Sequence, residues 1–184
     1  HRGRAVTTAD LEDLAMEASA EVALAHARGA ATEGEAGEVR VIVVPASAEA
    51  RPVPSLELLD RVETYLAARV PATVALEVMG PEWVPVNVDA EIVAVSPEVA
   101  GEAALALQAR LAAYLHPLTG GPEGTGWPFG RRPHRSDLYA VAEASPGVDH
   151  LLSLRVTEAS TPRTPLFLVH SGTHTVTVAV PTDD

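Results

Sequence analysis

Cysteine is absent from the chain, and so is lysine. Without a thiol there is no disulfide and no thiolate metal site, and the redox compartment leaves no mark on the sequence. All 13 basic residues are Arg, set against 25 Asp and Glu, which gives a formal net charge of −12. A surface this acidic repels phosphate backbones, so general nucleic-acid binding is not expected. The use of Arg alone reflects either genome composition or interface chemistry, and composition is the plainer reading. Aromatic residues make up only 4% while hydrophobic residues make up 47%, so Ala and Val must fill most of the core. No apolar run approaches the roughly 18 residues of a membrane span, and no signal-peptide pattern opens the chain. The first residue is His1, not Met, which reads as a piece of a longer or processed polypeptide.

The 184 residues that remain suffice for one or two domains with a real core. Thr7 and Asp10 fit a capping box, and Leu11, Leu14, Ala15 and Ala18 follow at helical spacing, predicting a helix from Thr8 to Ser19. Glu21 to Arg28 reads as a strand, Gly29 to Gly37 as a hairpin tip, and the β-branched run Val39 to Val44 as a central strand ending at Pro45. After a Pro/Ala linker, Ser55 caps a helix whose apolar face is Leu58, Leu59, Val62, Tyr65 and Leu66. Thr73 to Met79 alternates as a strand and is broken by Gly80-Pro81.

The second half opens on the clearest strand. Val84, Val86, Val88, Ala90 and Ile92 point one way, and Pro85, Asn87, Asp89 and Glu91 the other. Ser96-Pro97-Glu98 starts a helix in which Val99, Ala103, Leu107, Leu111 and Leu115 repeat every fourth residue. Ser136 is expected to cap a short helix carrying Leu138, Val141 and Ala142. Val148, His150, Leu152, Leu154 and Val156 are expected on one face of the next strand, which makes His150 a core histidine. Leu166 to His170 and Thr173 to Val180, joined near Ser171-Gly172, suggest a terminal hairpin. The fold class that results is α+β: two small domains of mixed β-sheet with two helices each, over 1–80 and 81–157, and a C-terminal hairpin or tail over 158–184.

One stretch fits no regular element. Residues 115–130 hold five glycines, three prolines, Trp127 and Phe129 in 16 positions. Gly opens backbone angles closed to other residues and Pro removes donors, so neither helix nor strand can form here. Loops of this length inside compact domains are usually functional or disordered, and the aromatics argue against disorder. The run from Gly121 to Trp127 has the glycine spacing of a phosphate loop, but Trp127 stands where Lys is required and Glu123 opposes phosphate charge.

Catalytic and metal chemistry find little support. His170 and His174 lie four apart, yet a zinc site needs further ligands, and ordinary strand-surface histidines explain the pair. Ser136, His134 and Asp137 are sequence neighbours without a nucleophile-elbow pattern, and helix capping accounts for Ser136. No catalytic residue, cofactor site or metal site is therefore assigned. The rival from another class is a small hydrolase or metal-dependent enzyme with the 115–130 loop as a lid. A third is a ligand-binding module with Trp127 and Phe129 as a stacking platform.

The run LHPLTGGPEGTGWPFGR resembles the signature loop of baseplate J-like proteins, the wedge components of contractile phage tails and related contractile injection systems. Arg4 to Leu11 resembles that family's first-helix segment, and Gly80 to Val86 its inter-domain joint. Ser136 to Tyr139 and Pro146 to His150 resemble its helix-turn-strand after the loop. The resemblance extends to about Val156. It implies a structural wedge subunit, not an enzyme, that assembles with copies of itself and other wedge proteins around a hub and spike, with sheath-proximal proteins nearby. In that family the wedge ring holds the sheath extended and rearranges on firing. No cofactor, no nucleic-acid partner and no membrane insertion are implied. The particle would be phage-tail-like and assembled in the bacterial cytoplasm. The candidate assembly contacts are His116, Trp127, Phe129, Arg131, Arg132 and Arg135. Aromatic side chains often dominate interfaces, and Arg is enriched there. Because the helix ending at Leu115 and the strand from Val148 already supply a core, the loop is expected to dock onto a partner instead of plugging its own domain.

Overall fold

The structure is a computed structural model that describes residues 4–29 and 37–179. The chain divides into two compact units, residues 1–81 and 82–184. Each contains two helices and a three-stranded mixed sheet, so the fold is α+β with two small sheet domains.

In the first unit, α1 (Thr8–Ala18) begins at a complete capping box. The Asp10 amide donates to Thr7 Oγ1 (3.2 Å), and the Asp10 carboxylate accepts from the amides of Thr7 (2.8 Å) and Val6 (3.0 Å). These satisfy donors that a helix start otherwise leaves orphaned. Strand β1 (Val22–Gly29) pairs antiparallel with β2 (Glu38–Pro45), and β2 pairs parallel with β3 (Ala75–Met79). The parallel pair requires a crossover, which α2 (Leu56–Ala67) provides. The Ser55 hydroxyl accepts from the Leu58 amide at 3.1 Å and fixes where α2 starts. Leu58, Val62 and Leu66 of α2, Leu11 and Leu14 of α1, and Val41 and Val43 of β2 form one core. Each such side chain contributes about 1.5–3 kcal/mol on burial. Ile42 and Val44 are buried too, so β2 is a central strand on both faces. The expected hairpin tip at 29–37 lies for the most part outside the described residues.

The second unit is built on β4 (Glu82–Ala94), whose alternation matches the sequence: Val84, Val86, Val88, Ala90 and Ile92 are buried. It sits between β5 (Val148–Glu158), antiparallel, and β6 (Phe167–Ala179), parallel. A single 3₁₀ turn, Pro97–Val99, leads into α3 (Ala100–Tyr114), which packs on β6, while α4 (Arg135–Glu143) packs on β5. The connection from β5 to β6 passes from one sheet edge to the other. Glu82, the first residue of β4, holds it by accepting from the amides of Arg163 (2.9 Å) and Thr164 (3.2 Å).

Three expectations fail here for identifiable reasons. Among the described residues, the C-terminal hairpin expected over 158–184 does not form. Residues 167–179 run as one strand through Gly172, and what looked like a turn is a bulge opposite Asn87. The Asn87 Oδ1 accepts from the Thr173 amide at 2.8 Å, and it occupies the space a side chain at residue 172 would need. Strand β5 likewise carries two bulges. Leu151 pairs with Ile92 and Ser153 with Glu91, leaving Leu152 extra, and Asp149 is extra in the same way. Each bulge moves one residue to the other face. Val148, Leu151 and Leu154 are therefore buried, while His150 and Leu152 are exposed. His150 is no core histidine, and its Nδ1 lies 2.8 Å from the exposed Asp149 carboxylate. Finally, α4 starts at Arg135 with His134 in the cap position, so Ser136 is inside the first turn and caps nothing.

Candidate assembly site around the glycine-proline loop

The loop after α3 is ordered by its own backbone. The Gly121 amide donates to Tyr114 O (2.7 Å), Gly126 to Gly120 O (2.9 Å) and Trp127 to Pro117 O (2.9 Å). These bonds fold the loop back across the end of α3. Gly126 has φ +97°, and a Cβ there would lie 2.6 Å from Pro117 O, so only glycine fits. His116 serves as an internal cap. Its Nδ1 accepts from the amides of Leu118 and Thr119, each at 3.2 Å, which requires the tautomer with the proton on Nε2.

Trp127 is only 3% exposed. Its Nε1 donates to Tyr114 O at 3.0 Å, and the two rings meet edge to face with centroids 5.6 Å apart. Burial, reinforced by the charge of Asp137, raises the Tyr114 phenol above its ordinary range, with Arg131 opposing. The expectation that Trp127 anchors a docking loop is thus corrected for this side chain: the indole belongs to the second unit's core, and Leu115 and Pro117, at the start of the loop, are buried as well. α3 and β5 alone did not close that core. Phe129 is half-buried.

The arginines after the loop remain on the surface. Arg131, Arg132 and Arg135 are all exposed. Arg132 is held by Glu158, Nε to Oε1 3.3 Å, with its guanidinium 5.6 Å from the centre of the Phe167 ring. Gly130 donates to Phe167 O at 2.9 Å, so the exit of the loop is tied to the start of β6. Arg135 lines an open cleft of about 460 Å³ with Ser153, Leu154, Arg155 and Val156 of β5. Sequence reading missed Arg155. It lies 20 residues from Arg135, and only the packing of α4 on β5 brings the two together.

The histidine pair separates. His170 pairs with Pro85 and His174 with Val88, and the bulge between them places the two residues on opposite faces of the sheet. His174 Nε2 contacts Ser171 Oγ (2.8 Å), its Nδ1 is buried without a hydrogen-bond partner, and burial lowers its pKa below the ordinary 6.5. His170 stands edge to face with Trp83, centroids 5.8 Å apart. Among the described residues no group of three or more His, Asp or Glu is placed to hold a metal ion, and no described helix is long and apolar enough to cross a membrane.

No protein-family model matches the chain, and no curated protein does either. Among solved structures, the chain is similar to one in the 6-fold symmetrised cryo-electron microscopy structure of the anti-feeding prophage (AFP) baseplate. The TM-score is 0.63 at 21% identity, covering 95% of this chain and 38% of that one. The present chain therefore shares the fold of somewhat more than a third of that larger polypeptide.

Proposed function

We propose that this chain is a structural subunit of the baseplate of a contractile, phage-tail-like particle. More finely, we propose a wedge subunit of the baseplate J-like kind, assembling with copies of itself and with other wedge proteins around a central hub. The observation that carries this reading is the likeness to an AFP baseplate chain over 95% of the present chain, across both units. The run from Leu115 to Arg131 supports it independently, because it rests on a signature-like sequence and not on the fold. The loop's role in this reading is to set the end of α3 and the start of β6 and to carry the arginines that follow. No observation favours the enzyme or ligand-binding alternatives. The pair His170 and His174, the best start of a metal site, is divided between two faces.

The test is made on particles. A tagged copy of the full-length protein, expressed from its native locus, should co-sediment with sheath and tube proteins, and its deletion should leave no assembled baseplates by electron microscopy. Normal particles formed without the protein would sink the reading.

A further inference from the structure

Among the described residues, strand β5 is an edge strand, paired with β4 on one side only. Its first half is broken by bulges at Asp149 and Leu152, which spoil an edge for further pairing. Residues 153–158 are different: they run in unbroken register with β4, Ser153 opposite Glu91 through Glu158 opposite Val86. On this regular edge every second residue turns its N–H and C=O outward. The open cleft beside Arg135 is lined by four consecutive residues of this stretch, Ser153 to Val156.

Charge marks the same place. In a chain of net charge −12, Arg135 and Arg155 flank the cleft, and neither forms an ion pair among the described residues. Arg135 is also in a position that costs stability. As the first residue of α4 it sits at the positive end of the helix dipole, where a cation is disfavoured. A local rule broken without a compensating contact is expected at functional or strained sites. Arg155 stands opposite Asp89 in the register with β4 and also lines a second trough of about 370 Å³ with Asp89 and Glu91, so carboxylates adjoin the cleft on its β4 side and Arg135 alone supplies the charge at the α4 side.

We propose that the β5 edge at 153–156 takes an extended, carboxylate-bearing segment of a partner protein as an added strand. Its main chain pairs with β5, and its Asp or Glu side chains meet Arg135 and Arg155. The two guanidinium groups give direction and charge selection, and the ladder gives register. Asp89 and Glu91 exclude a uniformly acidic strand, so the segment carries its acids at one end. This deepens the assembly reading by naming the chemistry of one contact, and it rests on that reading for its biological setting.

The purified full chain is titrated by fluorescence anisotropy at low and moderate salt. The probe is a labelled peptide with a Glu-Glu pair at one end and Thr/Val residues along the rest. Binding should weaken with salt, and by at least about tenfold in the Arg135→Ala/Arg155→Ala double variant, as expected for losing charged hydrogen bonds. Methylating alternate backbone nitrogens of the peptide, which keeps its charge but blocks the ladder, should cost at least as much. Arg28→Ala/Arg51→Ala, an equal charge change in the other unit, should leave binding unchanged. The proposal is overturned by any of four results: no binding at low salt, equal binding of the same peptide with Gln-Gln in place of Glu-Glu, equal binding of the methylated peptide, or tighter binding of a thymidine oligonucleotide. Each of these can occur while the protein still co-sediments with particles, so its failure is distinct from failure of the assembly reading.

Discussion

The Trp127 indole donates its N–H to the carbonyl of Tyr114, at the last residue of α3, and its ring stands nearly perpendicular to the Tyr114 ring. One side chain thus closes the exposed end of a helix and fills the space beneath it. The Tyr114 carbonyl, which has no intrahelical partner of the usual kind, also accepts from the Gly121 amide.

From this, Trp127→Ala should destabilise the chain by about 3–5 kcal/mol, the range for removing a large buried aromatic. Urea denaturation followed by circular dichroism measures it. A melting temperature within a few degrees of the parent would show that the indole is dispensable to the core.

Two glycines are expected to respond in opposite senses. Gly126→Ala imposes a left-handed backbone on a residue with a Cβ, costing about 1–3 kcal/mol before its contact with Pro117 O is counted. Gly101→Ala, in the first turn of α3 with open space around the added carbon, should stabilise by about 0.4–1 kcal/mol. Thermal melts of the two variants side by side test whether the loop's glycines are there for shape. Equal behaviour would refute that.

Much of this fold could be read from the residues. The β4 alternation, the Thr7/Asp10 box, the Ser55 cap and the four-residue repeat of α3 are local signals, and local signals survive folding. What failed was set by partners distant in sequence. The bulges of β5 follow from its register against Ile92 and Ala94. Gly172 reads as a turn until Asn87, 85 residues upstream, is seen filling the bulge. Trp127 looked like a docking anchor because nothing in the sequence shows that the end of α3 is open. The cleft depends on Arg155, whose neighbour Arg135 belongs to another element.

Asn87 should therefore matter out of proportion to its place on a polar strand face. Asn87→Ala removes the acceptor for the Thr173 amide and should cost about 1 kcal/mol. Asn87→Asp keeps the acceptor and should lose less. Hydrogen exchange at Thr173 gives the local readout: faster exchange in the Ala variant only is expected, and equal rates in both variants would remove Asn87 from the account of β6.

Stability should also fall on acidification through the neutral range, because of His174. Burial holds its folded pKa below 6.5, the ordinary value that it regains when unfolded. Well above 6.5 the imidazole is neutral in both states and contributes no pH dependence. Below it the unfolded chain takes up a proton that the folded chain resists, so unfolding is favoured progressively until the pH passes the folded pKa. Asp10 acts in the same direction but lower. Hydrogen bonds from the amides of Thr7 and Val6 keep its carboxyl below 3.8, so its stabilisation is intact through the histidine window and is lost only in stronger acid. Urea midpoints should accordingly decline between about pH 7.5 and about pH 5, and His174→Gln should flatten that decline while leaving the acid limb. A decline of the same slope in the variant would assign the neutral-range dependence to another group.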